Sequence, residues 1–328
     1  MNQAPRRILL TGASSGIGLQ AALQLRCAGH RLVLPCRDAA TAETTLRRLA
    51  EAGGGPEPLA PVCDLADLEN VERCAAALTG LGEPIDSLVL NAGLQYSGAP
   101  APQVSSQGIE LTVAVNHLAH QLLAQRLLPL LIAGRDPRLV VTASEVHDPA
   151  AAGGRVGSPA GLGDLAGLRA GLRPADGFAM VDGVSPFEAE KAYKDSKLCN
   201  VLFAREAERR LRERGTPLPV IAWSPGLVIP RSSGGFFRNS RRHNEWGQRL
   251  FALVARDLLR LSESVENAGA RLAALAADPL EASGGFTYFS NRVLGPGRLR
   301  FEAVSPSAEA LDDGKARSLW TLSEALLR

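Results

Sequence analysis

Apolar and polar positions alternate in blocks along this chain. A short apolar run at 7–11 leads into a glycine-rich turn and then a helix-period pattern through Ala28, stopped by Gly29. "RLVLPC" at 31–36 reads as a second strand, and Asp38 stands where it can N-cap a helix that ends in the glycines 53–55. "LAPVCD" (59–64) and "IDSLVLNAG" (85–93) have the apolar character of buried strands. The apolar-periodic stretch 108–131 predicts a helix, and "RLVVTAS" (138–144) the next strand. Such alternation predicts right-handed βαβ units: an α/β, Rossmann-type, doubly wound parallel sheet in a single domain over 1–328.

The periodicity breaks after this strand. Residues 148–186 are rich in Gly, Pro and Ala, and the insertion of about 148–192 is either a functional cover or a disordered stretch. Regularity returns with "KAYKDSKLCNVLFAREAERRLRER" (191–214), a helix, then strand "PVIAWS" (219–224) and "PG". Residues 231–245 are basic and irregular. Helices at about 245–260 and 266–277, a strand at "GGFTYFS" (284–290) and an amphipathic helix at 311–327 complete the pattern. The segment of about 227–260 is expected to be a lid on the substrate side.

Composition narrows the function classes. Apolar residues make up 45% and charged residues 21% of 328, and a net charge of +2 gives no strong pull toward nucleic acid. No apolar run reaches the roughly 18 residues of a membrane span. The first strand follows the N-terminus too closely for a signal peptide, and the five scattered cysteines have neither metal-ligand nor disulfide spacing. A reducing cytoplasm and no bound metal are the expectations; homo-oligomerisation is left open. Phe236 and Phe237 among Arg231, Arg238, Arg241 and Arg242 suit a pocket lid that also touches an anionic membrane, or a solvated basic loop.

Candidate chemistry lies at two ends. "TGASSGIG" sets Gly12, Gly16 and Gly18 between a strand and a helix, where glycines let backbone amides approach a pyrophosphate. The second strand ends Pro35-Cys36-Arg37, without the carboxylate that would hold a ribose 2′-hydroxyl. An arginine fork suits a 2′-phosphate instead, which favours NADPH.

The other end uses lysine. Of 36 basic residues only Lys191, Lys194, Lys197 and Lys315 are lysines, and three crowd into one helix. Tyr193 and Lys197 are four apart, hence on one helical face. A nearby ammonium lowers a phenol's pKa, and a lysine can also bond a ribose. Lys191 and Lys194 point elsewhere and are expected to be solvated. Ser144 ends a strand at the carboxyl edge, placed to polarise a substrate group. Asn116 lies mid-helix among apolar neighbours, and either organises a proton relay to Lys197 or satisfies a helix carbonyl.

Together "TGASSGIG", "NAG" (91–93), Asn116, Ser144, Tyr193-x-x-x-Lys197 and "PG" (225–226) resemble the short-chain dehydrogenase/reductase superfamily, in its order, over roughly 5–230. The resemblance implies Tyr193 as proton donor, Lys197 as its activator and ribose anchor, Ser144 as the polarising hydroxyl and Asn116 as relay residue. It places Gly12, Ser14, Gly16, Ile17, Gly18, Arg37, Asp64, Leu65, Asn91, Ala92, Gly93, Pro225 and Gly226 along the cofactor path, beside Tyr193 and Lys197. Within the superfamily, the long 145–192 gap with "DLAGLRAGL", "GFAMVDG" and "KAYKDSKLCN", then "FFRN", "NR" (291–292) and "LWTLSEALL", is similar to the light-dependent protochlorophyllide oxidoreductases. That likeness implies NADPH-driven reduction of a tetrapyrrole C17=C18 double bond near photosynthetic membranes, and Cys199 matches that family's cysteine after the lysine. Leu227 stands where that family has a second cysteine, Ile229-Pro230-Arg231 where it has a threonine, and Leu168 and Leu172 where it has aromatics. Two alternatives stay open: a light-independent carbonyl or alcohol oxidoreductase for a bulky apolar, retinoid-like compound, and a pigment-binding protein without turnover.

Overall fold

The computed structural model describes residues 4–228, 262–280, 285–295 and 297–328. Seven strands form one sheet: β1 (Arg7–Leu10), β2 (Arg31–Val33), β3 (Ser87–Leu90), β4 (Arg138–Thr142), β5 (Pro219–Ser224), β6 (Gly285–Gly295) and β7 (Arg298–Ala303). Their order is β2-β1-β3-β4-β5-β6-β7, parallel throughout except for the antiparallel β6–β7 hairpin. The helices are α1 (Gly16–Cys27), α2 (Ala39–Ala52), α3 (Leu68–Gly80), α4 (Leu111–Val113), α5 (Ala119–Ile132), α6 (Ala166–Arg169), α7 (Ala189–Glu213), α8 (Val265–Ala277) and α9 (Asp313–Leu326).

Strand alternation divides the core into two layers. Leu9, Leu88, Leu90, Leu139 and Val141 face the side covered by α3, α5, α7 and α9, while Ile8, Leu10, Val89 and Val140 face α1 and α8. Both faces are buried, which is why these strands read as continuous apolar runs. Chain order reverses between β1 and β3, and a ligand crevice forms at such a switch point, outside the carboxyl ends of the strands.

Several local expectations hold. Asp38 caps α2 by accepting from Thr41 N at 2.7 Å. Gly29 follows α1 at φ +88°, a backbone that glycine adopts without a Cβ clash. Others are corrected. "LAPVCD" is not a full strand: it makes two isolated parallel bridges, Val33 with Leu59 and Cys36 with Val62. Pro61 lies between them and has no N–H to offer Leu34 O; the Cys36 thiol donates to that carbonyl at 3.3 Å. The expected 108–131 helix begins at Leu111 and passes through a π turn at Ala114–Leu118. The strand at 284–290 runs on to Gly295 and returns as β7, which the sequence pattern did not suggest.

The insertion is a folded cover, with turns around α6 and a 3-10 turn at Pro174–Asp176. Leu162, Leu165, Leu168, Leu172 and Val181 join the main core. Leu168 and Leu172 are buried within that core. Lys191 and Lys194 are not solvated. Lys191 bridges Asp182 at 2.8 Å and Asp195 at 2.7 Å and donates to Gly161 O at 2.9 Å. The two carboxylates raise its pKa against the desolvation that would lower it. Lys194, 5% exposed, donates to the carbonyls of Gly154, Val156 and Ser158 at 3.1, 2.5 and 2.9 Å. Three divergent carbonyls suit an ammonium with three rotatable donors better than a planar guanidinium.

The lid region of about 227–260 lies, after Val228, outside the described residues. So do Phe236, Phe237 and their arginines, and the Ile229-Pro230-Arg231 departure. Among the described residues no helix is long and apolar enough to cross a membrane.

Candidate active site

The cofactor end is shaped by close backbone approach. A Cβ on Gly18 would lie 2.2 Å from Gly12 O, and one on Gly12, at φ +74°, would lie 2.8 Å from Ala92 Cα. The first contact closes the turn after β1 onto the start of α1, and the second presses that turn against the one after β3. The N-cap of α1, Ser15, makes no side-chain capping bond, and the helix has no acid in its first turn. Its first amides are thus left for an anion. Ser14 offers its carbonyl to Arg48 Nη1 at 3.3 Å, and Ile17 packs on the smaller core cluster.

Arg37 follows β2 and is 55% exposed, with Nε 3.1 Å from Asp38 Oδ2. Asp38 is the nearest carboxylate to a bound ribose by sequence, but its side chain serves α2. The Thr41 hydroxyl and N–H, then Arg37, hold its pKa down to about 2. The fork of Arg37 is left free for a phosphate, and the donor set fits a 2′-phosphorylated dinucleotide. Asp64 closes its own turn, donating N–H to Asn70 Oδ1 at 2.7 Å and accepting from Ala66 N at 3.0 Å, while Leu65 packs on the main core.

Asn91 joins the strands. Its N–H and that of Ala92 donate to Thr11 Oγ1 at 2.9 and 3.0 Å, its Nδ2 to Thr11 O at 3.1 Å, and its Oδ1 accepts from Thr142 Oγ1 at 3.1 Å. Thr142 Oγ1 in turn accepts from Trp223 Nε1 at 2.9 Å. Gly93 brings the chain to the chemical end: a Cβ there would lie 3.3 Å from Asn116 Oδ1 and 3.5 Å from Lys197 Nζ.

Helix α7 carries Tyr193, Ser196, Lys197 and Asn200. Lys197 Nζ lies 5.6 Å from the Tyr193 ring centroid and donates to Thr142 O at 3.2 Å, an acceptor it shares with Asn200 Nδ2 at 3.1 Å. Burial lowers the Lys197 pKa to about 8. Burial also raises the Tyr193 phenol, and a hydrogen bond with Ser144 pulls it back. Ser144 itself caps a 3-10 turn at Glu145–His147.

Asn116 sits in the π turn before α5, a distortion that often marks functional positions. Its amide serves no helix carbonyl. Nδ2 donates to Leu94 O and to Ser196 Oγ, both at 3.0 Å, and Oδ1 accepts from Leu94 N at 2.8 Å. After β5, Pro225 O accepts from Asn291 Nδ2 at 3.2 Å, and Gly226 turns at φ +77° because a Cβ would lie 2.6 Å from Asn291 O.

The fold thus brings Ser144, Tyr193, Lys197, Asn116 and Gly93 together at the carboxyl edge, with the glycine turn and Asn91–Ala92 beside them. Cys199 is not part of this group: it is fully buried in the main core, and burial raises its thiol. Sequence reasoning missed Thr11, His120, Thr142, Ser196, Asn200 and Trp223. Ser196 and Asn200 had a signal, being on the face of α7 that carries Tyr193 and Lys197.

Comparisons with known proteins agree with this fold. Residues 6–156 match the family described as short chain dehydrogenase. The chain is 36% identical over 323 residues to protochlorophyllide reductase A, chloroplastic, of Oryza sativa subsp. japonica, covering 98% of this chain and 80% of that one. It is likewise 36% identical over 323 residues to the protochlorophyllide reductase of Avena sativa, covering 98% and 99%. Among solved structures, an uncharacterized protein from Mycobacterium Paratuberculosis superimposes with TM-score 0.68 at 26% identity, covering 99% of this chain and 94% of that one. L-sorbose reductase from Gluconobacter frateurii, complexed with NADPH and L-sorbose, shares the fold at TM-score 0.62 and 18% identity, covering 90% and 97%.

Proposed function

The chain belongs to the short-chain dehydrogenase/reductase family and is an oxidoreductase, and on that premise we propose that it is an NADPH-dependent, light-driven reductase of protochlorophyllide. The observation that carries the substrate reading is the span of the likeness. It covers 98% of this chain, and so takes in the insertion and α9, which a general carbonyl reductase has no need to share.

Gly12, Ser14, Gly16, Ile17 and Gly18 cradle the pyrophosphate, and Arg37 takes the 2′-phosphate. Asp64, Leu65, Asn91, Ala92, Gly93, Pro225 and Gly226 line the rest of the path. NADPH, when bound, supplies the hydride. The net reaction adds that hydride and one proton across the C17=C18 bond. Tyr193 Oη gives the proton, Ser144 orients the phenol, and the Lys197 ammonium favours its ionised form afterwards. Asn116, held between Leu94 and Ser196, aligns the route by which the proton is replaced. The folded insertion covers an apolar macrocycle from one side.

Leu227 favours a second reading, a dark carbonyl or alcohol reductase for a bulky apolar compound, because it offers no thiol and no polar hydrogen. The test is a light-minus-dark absorption spectrum of protein, NADPH and protochlorophyllide, run beside dark turnover of apolar aldehydes and ketones. Light-dependent chlorophyllide formation is expected. Absence of pigment binding with efficient dark carbonyl reduction overturns the first reading for the second. Leu227→Cys divides two roles of the missing thiol: a large gain in turnover marks a chemical role, and a change in binding alone marks a packing one.

A further inference from the structure

We propose that His120 is a positioning residue that ties the Thr11 hydroxyl, and with it the cofactor turn at Asn91–Ala92, to the backbone of Asn116, and so helps hold the two ends of the site in register. The proposal rests on the reductase reading above and concerns a residue to which that reading gives no part.

The hydrogen bonds fix the tautomer. His120 Nδ1 lies 3.1 Å from Asn116 O, and a carbonyl only accepts, so Nδ1 carries the hydrogen. Nε2 is then a lone-pair acceptor, 3.0 Å from Thr11 Oγ1. That hydroxyl already accepts two N–H groups, from Asn91 at 2.9 Å and Ala92 at 3.0 Å. Its single hydrogen is left to donate, and Nε2 is nearer than the alternative, Val89 O at 3.5 Å. Every valence of the Thr11 hydroxyl is used only when a neutral imidazole stands beside it. His120 is 1% exposed, and burial holds its pKa down to about 3. An imidazolium would place a second hydrogen on Nε2 and leave the Thr11 hydroxyl without this acceptor.

From Asn116 the path continues. Its Nδ2 donates to Ser196 Oγ at 3.0 Å, and Ser196 Oγ donates to Tyr193 O at 2.7 Å. One connected set of hydrogen bonds therefore runs from the amides of Asn91 and Ala92 through Thr11, His120, Asn116 and Ser196 to the backbone of Tyr193. Within this set His120 is the link between Thr11 and Asn116, and it works beside the direct bonds of Asn116 to Leu94 and of Asn91 to Thr142.

The test is a double-mutant cycle read two ways: NADPH affinity by fluorescence titration in the dark, and kcat at saturating NADPH. A buried hydrogen bond contributes on the order of a tenfold change in an equilibrium or rate. His120→Phe keeps a ring and loses both bonds, so about a tenfold rise in Kd and about a tenfold fall in kcat are expected. Thr11→Val removes the cofactor half, the acceptor of the Asn91 and Ala92 amides included, so a rise in Kd at least as large is expected, with kcat within about threefold of wild type because the His120–Asn116 bond remains. The double variant should bind NADPH no more weakly than Thr11→Val alone, since that change already cuts the link that His120→Phe removes. His120→Gln, a neutral amide with donor and acceptor, should recover much of the loss.

Multiplying Kd effects, or a glutamine variant no better than phenylalanine, overturns the proposal. Should His120→Phe fail to fold, a Thr11→Val protein with wild-type Kd overturns it equally. The substrate reading fails separately. A wild type that binds NADPH but leaves protochlorophyllide unreduced in light sinks that reading alone, and kcat is then read on a carbonyl substrate. A wild type that binds no NADPH overturns both.

Discussion

Lys197 holds its ammonium 5.6 Å from the centre of the Tyr193 ring while donating to the Thr142 carbonyl, one helical turn along α7 and almost wholly removed from water. Burial is the cause of its pKa of about 8, lowered from 10.5. Two consequences differ in sign. In the absence of cofactor the unfolded chain keeps a proton between about pH 8 and 10.5 that the folded chain has released, so this residue makes folding stability rise with pH across that window. The gain is at most about 3 kcal/mol at about 1.4 kcal/mol per unit. Turnover needs the ammonium and should fall about tenfold per pH unit above about 8. Urea titrations and kcat/KM profiles check both, and Lys197→Arg, charged throughout, should lose the alkaline limb.

Tyr193→Phe preserves the ring beside Lys197 and removes the proton. Product formation should drop by at least about a hundredfold, the usual scale of acid catalysis. NADPH affinity should stay within about threefold, since the phenol is hydrogen-bonded with Ser144 and the ring beside Lys197 is kept. Near-normal turnover in this variant would show the tyrosine to be structural.

Arg37→Ser tests cofactor choice. A charged hydrogen bond to phosphate is worth about 1.5–3 kcal/mol, so NADPH affinity should fall about ten- to a hundredfold. NADH affinity should change little, because the Asp38 carboxylate stays on the N-terminus of α2. Parallel isothermal titrations with both dinucleotides give the ratio.

Lys194→Met should loosen the insertion. Three carbonyls at Gly154, Val156 and Ser158 lose their shared donor. A loss of about 2–4 kcal/mol is expected, the range for breaking a buried polar network. Protease cleavage should increase within 148–192, and Lys194→Arg should recover only part, since a planar fork cannot face three divergent acceptors.

What the sequence made legible was local. Gly12, Gly16 and Gly18 lie within one turn, and Tyr193 and Lys197 within one helical turn, so their spacing alone carries their geometry. Asp38 and Gly29 mark helix ends by the same short-range logic. What it hid was non-local. The partners of Lys194 are backbone carbonyls some forty positions earlier in a stretch without periodicity, so its ammonium looked like one more solvated charge. Asn116 reads as a mid-helix amide until the π turn and Leu94 are seen. Pro61 was visible, but the apolar neighbours outweighed it. Leucines 168 and 172 pack inward through a loop that no pattern could orient.

The placement of α9 bears on how the site comes to exist. Ser323 bonds His117, next to Asn116, at 2.9 Å, and Gln121 Nε2 of α5 donates to Trp320 O at 3.1 Å. Trp320 also stacks on Phe203 of α7 with ring centroids 5.6 Å apart, under the Arg210 guanidinium. The helix that carries Tyr193 and the turn that carries Asn116 are therefore braced by the same late segment. Bringing them together closes loops of more than a hundred residues, contacts that are slow to form because their entropy must be lost first. Catalytic alignment and completion of folding become a single cooperative event: a chain folded up to β7 would have the strands and the dinucleotide turn in place, and the docking of α9 would brace the two elements that carry Tyr193 and Asn116.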